Sequence, residues 1–285
     1  MQFETLNIAV EDDLAIVELN RPNRLNAFDL QMVTDFIAAI DVLGKDDAVR
    51  AIIVTGAGPH FCSGADLSRG RDSFDAGHQL QGDDPRIRDR AGLVTLALFD
   101  CPKPLIAAVQ GAAVGMGATM TLAMDCRIAS TNARFGFVFT RRGIVPEGCS
   151  SWFLPRIVGI PKSLEWLLTG GFVDAEEALA AQLVSDVVTE HDLLASAKAV
   201  ATRFITSTSA VSVALTRQML WKLSAADHPM AAHRIESRGV YELGRTAEAR
   251  EGIEAFIQKR TPEFPLKVSA DMPDFYPWWE EKTYD

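Results

Sequence analysis

Residues 105–124 read L-I-A-A-V-Q-G-A-A-V-G-M-G-A-T-M-T-L-A-M, a run with no charge before Asp125. A stretch this long and apolar either spans a membrane or lies in the buried centre of a globular core. The G-A-A-V-G within it is a small-residue pattern that transmembrane helices use for packing. Gln110 and Gly111 interrupt the run, however, and Pro102 and Pro104 stand at its entrance. It reads better as a buried strand over 105–109, stopped by a glycine turn and followed by a helix starting near Gly117.

The rest of the chain supports that reading. Residues 6–10 and 14–19 are short apolar runs around E-D-D, a hairpin without the best turn residues. Asp29 is placed to cap a helix to about Leu43, with Met32, Phe36, Ile37, Ile40 and Leu43 on one face and Gly44 as its end. A buried strand A-I-I-V-T at 51–55 precedes G-A-G-P-H-F-C-S-G-A-D-L. A polar segment from Ser68 to Arg90 leads into a helix expected over 87–99, and a further strand is expected over 127–130. Alternating buried strands and helices predict an α/β fold.

From Asp174 the pattern becomes helical, over 174–180, 190–205, 209–223 and 227–259, with a break near Gly244 and one strand over 183–188. The expected organisation is an α/β core over 1–206, a helical unit over 207–260 and an arm over 261–285. The arm is rich in proline and aromatics, and leaving Trp278 and Trp279 in water would be costly, so it is expected to lie across the protein or a neighbour.

The 285 residues carry 28 basic and 38 acidic side chains, a net charge of −10, which argues against nucleic acid as a general partner. Cys62, Cys101, Cys126 and Cys149 lack the paired spacing of a zinc site, so no metal is expected and the thiols are read as reduced. The N-terminus has neither a basic region nor an apolar core, and the C-terminal K-T-Y-D is no peroxisomal address, which points to the cytoplasm. No G-K-[ST], H-E-x-x-H or G-x-S-x-G occurs. G-M-G-A-T-M lacks the third glycine of a dinucleotide loop, and Asp125 comes too early to hold a ribose.

Two glycine-containing turns remain, F-C-S-G-A-D-L after the strand at 51–55 and G-A-A-V-G-M-G after the strand at 105–109. Side by side they would offer two backbone N–H donors, the arrangement that stabilises an oxyanion. The residues alone leave open that both are only tight connections.

R-P-x-x-L-N-A, G-x-G-x-x-F-C-S-G-A-D-L, V-Q-G-A-A-V-G-M-G and R-F-G-F…G-I-V-P-E-G occur in this order, and E-G-I-E-A-F-I-Q-K-R closes the helical part. Together they resemble the crotonase (enoyl-CoA hydratase/isomerase) superfamily from about Asn7 to Arg260. The resemblance implies a spiral core of ββα turns, a C-terminal helical trimerisation region and a homotrimer or hexamer. It also implies an acyl-CoA thioester as substrate, with coenzyme A part of that substrate and no separate cofactor. The thioester oxygen would meet the backbone amides of Ala65 and Met116. Family members that hydrate double bonds place two glutamates where this chain has Thr119 and Phe139, both expected to line the site.

P-E-G-C-S-S, residues 146–151, resembles the Δ3,Δ2-enoyl-CoA isomerase branch, in which one glutamate moves a proton from C2 to C4. Glu147 is therefore the expected catalytic residue, and its apolar neighbours should raise its pKa. Taken without the motif, it is an acid beside a helix start. Arg24 is placed to meet CoA phosphates or else is a solvated arginine. Ala65 and Leu67 should line the CoA path, Asp66 should order its loop, and Phe256 and Lys259 match residues that reach a neighbour's ligand. The expected activity is a Δ3-to-Δ2 shift of an enoyl-CoA. Hydration by Glu147 is the closest alternative, and a non-catalytic acyl-CoA binder a further one.

Overall fold

The computed structural model describes residues 2–68, 70, 73–74 and 88–284. Most of the polar segment expected between Ser68 and Arg90, and the expected helix start at Ile87, lie outside these.

Strands β1 (Leu6–Glu11) and β2 (Leu14–Leu19) pair antiparallel, with Glu11 opposite Leu14. Asp12 and Asp13 turn the hairpin at φ 50° and 62°, the left-handed values that a two-residue turn requires and aspartate tolerates. The chain continues through α1 (Leu30–Lys45), β3 (Ala51–Gly56), α2 (Arg90–Asp100), β4 (Leu105–Val109), β5 (Ala112–Val114) and α3 (Met116–Thr119), then β6 (Cys126–Ser130), β7 (Arg134–Gly136) and α4 (Ser150–Thr169). It ends with β8 (Phe172–Asp174), α5 (Ala175–Ala180), β9 (Asp186–Val188), α6 (Leu193–Ile205), α7 (Ala210–Leu223), α8 (Met230–Leu243) and α9 (Ala247–Gln258).

The main sheet has the order β1-β2-β3-β4-β6-β9 and is parallel from β2 onward. A smaller sheet, β5-β7-β8, stands beside it. Its central strands read as unbroken apolar runs because both faces are covered. Ile53, Ile106, Ala108 and Ile128 pack with Ala197, Val200 and Ala201 of α6. Their alternates Ile52, Val54, Leu105, Ala107 and Val109 face the main core with Met32, Phe36 and Ile40 of α1 and Val94 and Leu98 of α2.

Asp29 caps α1 as expected, its side chain accepting from the Met32 amide at 2.9 Å. The helix runs through Gly44 rather than ending there. The helix expected near Gly117 begins at Met116, makes a single α turn and tightens into a 3-10 turn over Met120–Ala123. The apolar run is thus divided among a strand, a short strand and two helical turns. Among the described residues no helix is long and apolar enough to cross a membrane. Helix α4 was expected only as a helix start beside Glu147; Pro155 and Pro161 obscure its body, and Gly159, at φ 78° and ψ 162°, breaks it into two segments.

The arm lies on its own chain. Ser269 donates to Asp47, the Leu266 amide donates to Glu248 at 3.0 Å, and Phe275 is buried against Val211 and Leu215 of α7. By contrast α8 and α9 leave Val240, Tyr241, Ile253, Phe256 and Ile257 exposed.

Candidate active site

The loop after β3 and the start of α3 are joined by main chain. The Cys62 amide donates to Ala112 O at 2.9 Å, and the Val114 amide returns to Cys62 O at 2.9 Å. Gly64 has φ +98°, and a Cβ there would lie 2.7 Å from Val114 O and 3.7 Å from the Met116 nitrogen. Only glycine permits this approach, which brings the two loop backbones together.

The residues on either side of Ala65 are fixed by Phe28, whose amide donates to Gly64 O at 2.8 Å and whose carbonyl accepts from Asp66 N at 2.9 Å. Among the described residues, neither the Ala65 nor the Met116 N–H has an acceptor. Two N–H donors without a protein acceptor thus stand on loops that main-chain hydrogen bonds join, one at buried Met116 and one at half-buried Ala65.

Arg21 is the outer brace of this loop, a role not legible in the sequence. Its guanidinium donates to Ala27 O and to Asp66 Oδ2 at 3.0 Å, and pairs with Asp29 Oδ2 at 2.9 Å. Asp66 accepts also from the Ser68 amide at 2.9 Å, so its carboxylate orders the loop, as expected.

Glu147 stands in the turn before α4. Gly148 and Cys149 follow it at φ +63° and +54°, two consecutive left-handed residues that turn the chain into α4. Thr119 Oγ1 lies 3.5 Å from Glu147 Oε1 and 3.4 Å from Met116 O, so one threonine spans from the first residue of α3 to the carboxyl group. Asp89, the N-cap of α2, accepts from the Gly148 amide at 3.2 Å. Ser150 donates through N and Oγ to the Glu147 carbonyl, at 3.1 and 2.7 Å, and not to its side chain. The carboxyl group is therefore not spent on capping α4. Burial, reinforced by the charge of Asp89 and opposed by the Thr119 hydroxyl, pushes its pKa up to about 8.

The remaining expected residues are dispersed. Leu67 is exposed beside the Ala65 loop, and Phe139 is buried in the main core at the entry to a 3-10 turn. Arg24 is exposed at the end of the Pro22–Arg24 turn and makes no ion pair among the described residues. Phe256 is 85% exposed on α9, and Lys259 ends that helix in a left-handed conformation. A cavity of about 1250 Å³ lies between α7, α8 and α9 and is lined by neither Glu147 nor the two amides. Asp89 and Gly148 escaped the sequence reading because each is meaningful only against a partner 59 residues away.

The chain thus carries a parallel-centred α/β core, two loops joined by main chain and the Glu147 carboxyl group, which Thr119 links to the second loop. A family profile described as Enoyl-CoA hydratase/isomerase matches residues 9–267, and the chain belongs to this family, the crotonase superfamily. It is 37% identical over 254 residues to the enoyl-CoA hydratase AFT3-1 of Alternaria alternata, covering 89% of this chain and 83% of that one. It is 32% identical over 261 residues to the 1,2-epoxyphenylacetyl-CoA isomerase of Escherichia coli, covering 90% and 97%. The crystal structure of a probable enoyl-CoA hydratase/isomerase from Mycobacterium abscessus superposes with a TM-score of 0.83 at 32% identity, covering 91% and 98%.

Proposed function

We propose that this protein moves the double bond of an enoyl-CoA thioester from Δ3 to Δ2 with Glu147 as the one proton carrier. The Ala65 and Met116 amides receive the thioester oxygen. The Glu147 carboxylate takes a proton from C2, and the electron pair of that C–H bond delocalises into the carbonyl as a dienolate held by the two N–H groups. Return of the same proton to C4 leaves the double bond between C2 and C3, so atoms and charge balance with no co-reactant.

The observation that carries this reading is the Glu147 carboxyl group, with a pKa of about 8, and Thr119 at 3.5 Å from it where a hydratase would have a second acid. A group with that pKa both accepts and returns a proton near neutrality. Glu147→Gln should abolish conversion of a 3-enoyl-CoA while thioester binding persists; a variant that turns over at the parental rate removes Glu147 from the mechanism.

Hydration is the second reading, favoured by the relatives whose names carry that activity. A side-by-side assay with 3-enoyl-CoA and trans-2-enoyl-CoA separates the two. The exposed apolar side chains of α8 and α9 support assembly as a homotrimer or hexamer, where Phe256 and Lys259 would reach a neighbour's CoA. Light scattering on the purified chain tests that assembly.

A further inference from the structure

We infer that Asp89 is a positioning residue for Glu147, clamping the loop that presents its carboxyl group and facing it with a second negative charge. The inference rests on the reading of Glu147 as the proton carrier. One oxygen of Asp89, Oδ1, accepts from two elements at once, the Gly92 amide inside α2 at 2.5 Å and the Gly148 amide at 3.2 Å. The first bond is ordinary helix capping. The second is not, because it reaches 59 residues along the chain to the residue after Glu147.

The loop it holds has little freedom. A Cβ on Gly148 would lie 2.6 Å from Thr119 Oγ1 and 3.3 Å from Ala91 Cβ, so the loop is wedged between α3 and the first turn of α2. Gly148 takes its left-handed backbone without strain, but Cys149 does not, at a cost of about 1–2 kcal/mol, so a tether at Gly148 helps hold the turn.

Among the described residues, the polar and titratable groups around Glu147 come from four directions. Asp89, with Arg88 beside it, stands at the start of α2, and Thr119 faces from α3. Cys62 comes from the loop after β3 and Cys149 from the same loop as Glu147. Burial pushes the Cys62 thiol to about 12 and raises Cys149, so both are neutral near pH 7. Arg88 is turned toward the arm, its guanidinium 4.9 Å from the centre of the Tyr284 ring. Asp89 is thus the acid that opposes ionisation of Glu147, and Thr119 the donor that favours it. A proton carrier without a second catalytic acid depends on such a neighbour to keep its own proton affinity near the working pH.

The test is Asp89→Asn, which keeps the capping oxygen and the acceptor for Gly148 while deleting the charge. The Glu147 carboxyl is titrated by carbon-13 NMR in protein labelled at the glutamate side-chain carboxyl, with Glu147→Gln identifying its signal. The midpoint and the ascending limb of the kcat/KM profile on 3-enoyl-CoA should both move to lower pH, by about half a unit to one unit. Asp89→Ala, which also releases Gly148, should lower kcat about tenfold or more while KM changes little. A midpoint in Asp89→Asn equal to the parent's, or a parental kcat in Asp89→Ala, overturns the inference. The NMR midpoint needs no turnover, so parental activity in Glu147→Gln would overturn the functional reading and leave the titration to decide the role of Asp89.

Discussion

Arg217 Nε of α7 lies 2.7 Å from Asp125 Oδ2, an ion pair across 92 residues that ties the C-terminal helices to the core. The same guanidinium donates to the carbonyls of Leu98, Phe99, Cys101 and Ala123. Asp125 also accepts from Trp221 Nε1 at 2.7 Å and from the Leu105 amide at 2.8 Å. Replacing Arg217 by Met should destabilise the fold by about 3–5 kcal/mol, because the partly buried Asp125 carboxylate loses its cation and several carbonyls lose a donor. Urea unfolding measures this; a loss below about 1 kcal/mol would mean that water replaces the guanidinium.

Glu147 makes stability pH-dependent with a defined sign. In the folded chain it keeps its proton up to about pH 8, whereas the unfolded chain releases it near the ordinary value of 4.5. Its contribution is complete below that ordinary value and is lost as pH rises through about 8. The loss is on the order of 3 kcal/mol for a partly buried group. Glu147→Gln should flatten the stability profile over this window and be the more stable protein at pH 9. Parallel profiles for the two proteins would contradict this.

Gly148 permits no side chain. Alanine there would adopt φ +63° and bring its Cβ to 2.6 Å from Thr119 Oγ1. The expected cost is about 2–4 kcal/mol from the left-handed backbone and the overlap together. Combining it with Thr119→Ala should restore part of that stability, since the overlap with Oγ1 is removed while the 3.0 Å approach to the Cβ of residue 119 and the backbone cost remain. Thermal unfolding of the single and double variants measures both.

Met116→Pro deletes one amide N–H, together with a buried side chain. Met116 is the first residue of α3, a position where proline is accommodated, so the variant removes the N–H with little change in the helix. Turnover should fall about 10²–10³-fold, as for loss of one oxyanion donor. Circular dichroism and unfolding checks show whether the fold is kept; a folded variant with parental turnover would exclude this amide from the chemistry.

The fold was most legible where burial is two-sided. Runs such as A-I-I-V-T and L-I-A-A-V become central parallel strands because both their faces meet packed side chains. The three-residue strands β5, β7 and β8 have too few residues to show a period, and prolines hide α4. At the site, the glycine turns and the apolar setting of Glu147 were legible as local patterns. The long-range partners were not: Arg21 reaching Asp66, Asp89 reaching Gly148 and Thr119 reaching Glu147 are pairings that only the tertiary fold creates. Phe256 shows the opposite case, since an apolar residue in a helix reads as core yet stands 85% exposed.

The arm carries a practical consequence for biochemistry. Its final aromatic, Tyr284, stacks on Arg88, the residue preceding the acid that clamps the Glu147 loop. A purification tag fused after the arm would begin close to Tyr284 and compete with it for that arginine. Kinetic measurements are better made with the affinity handle at the opposite terminus, or with the fusion removed by protease.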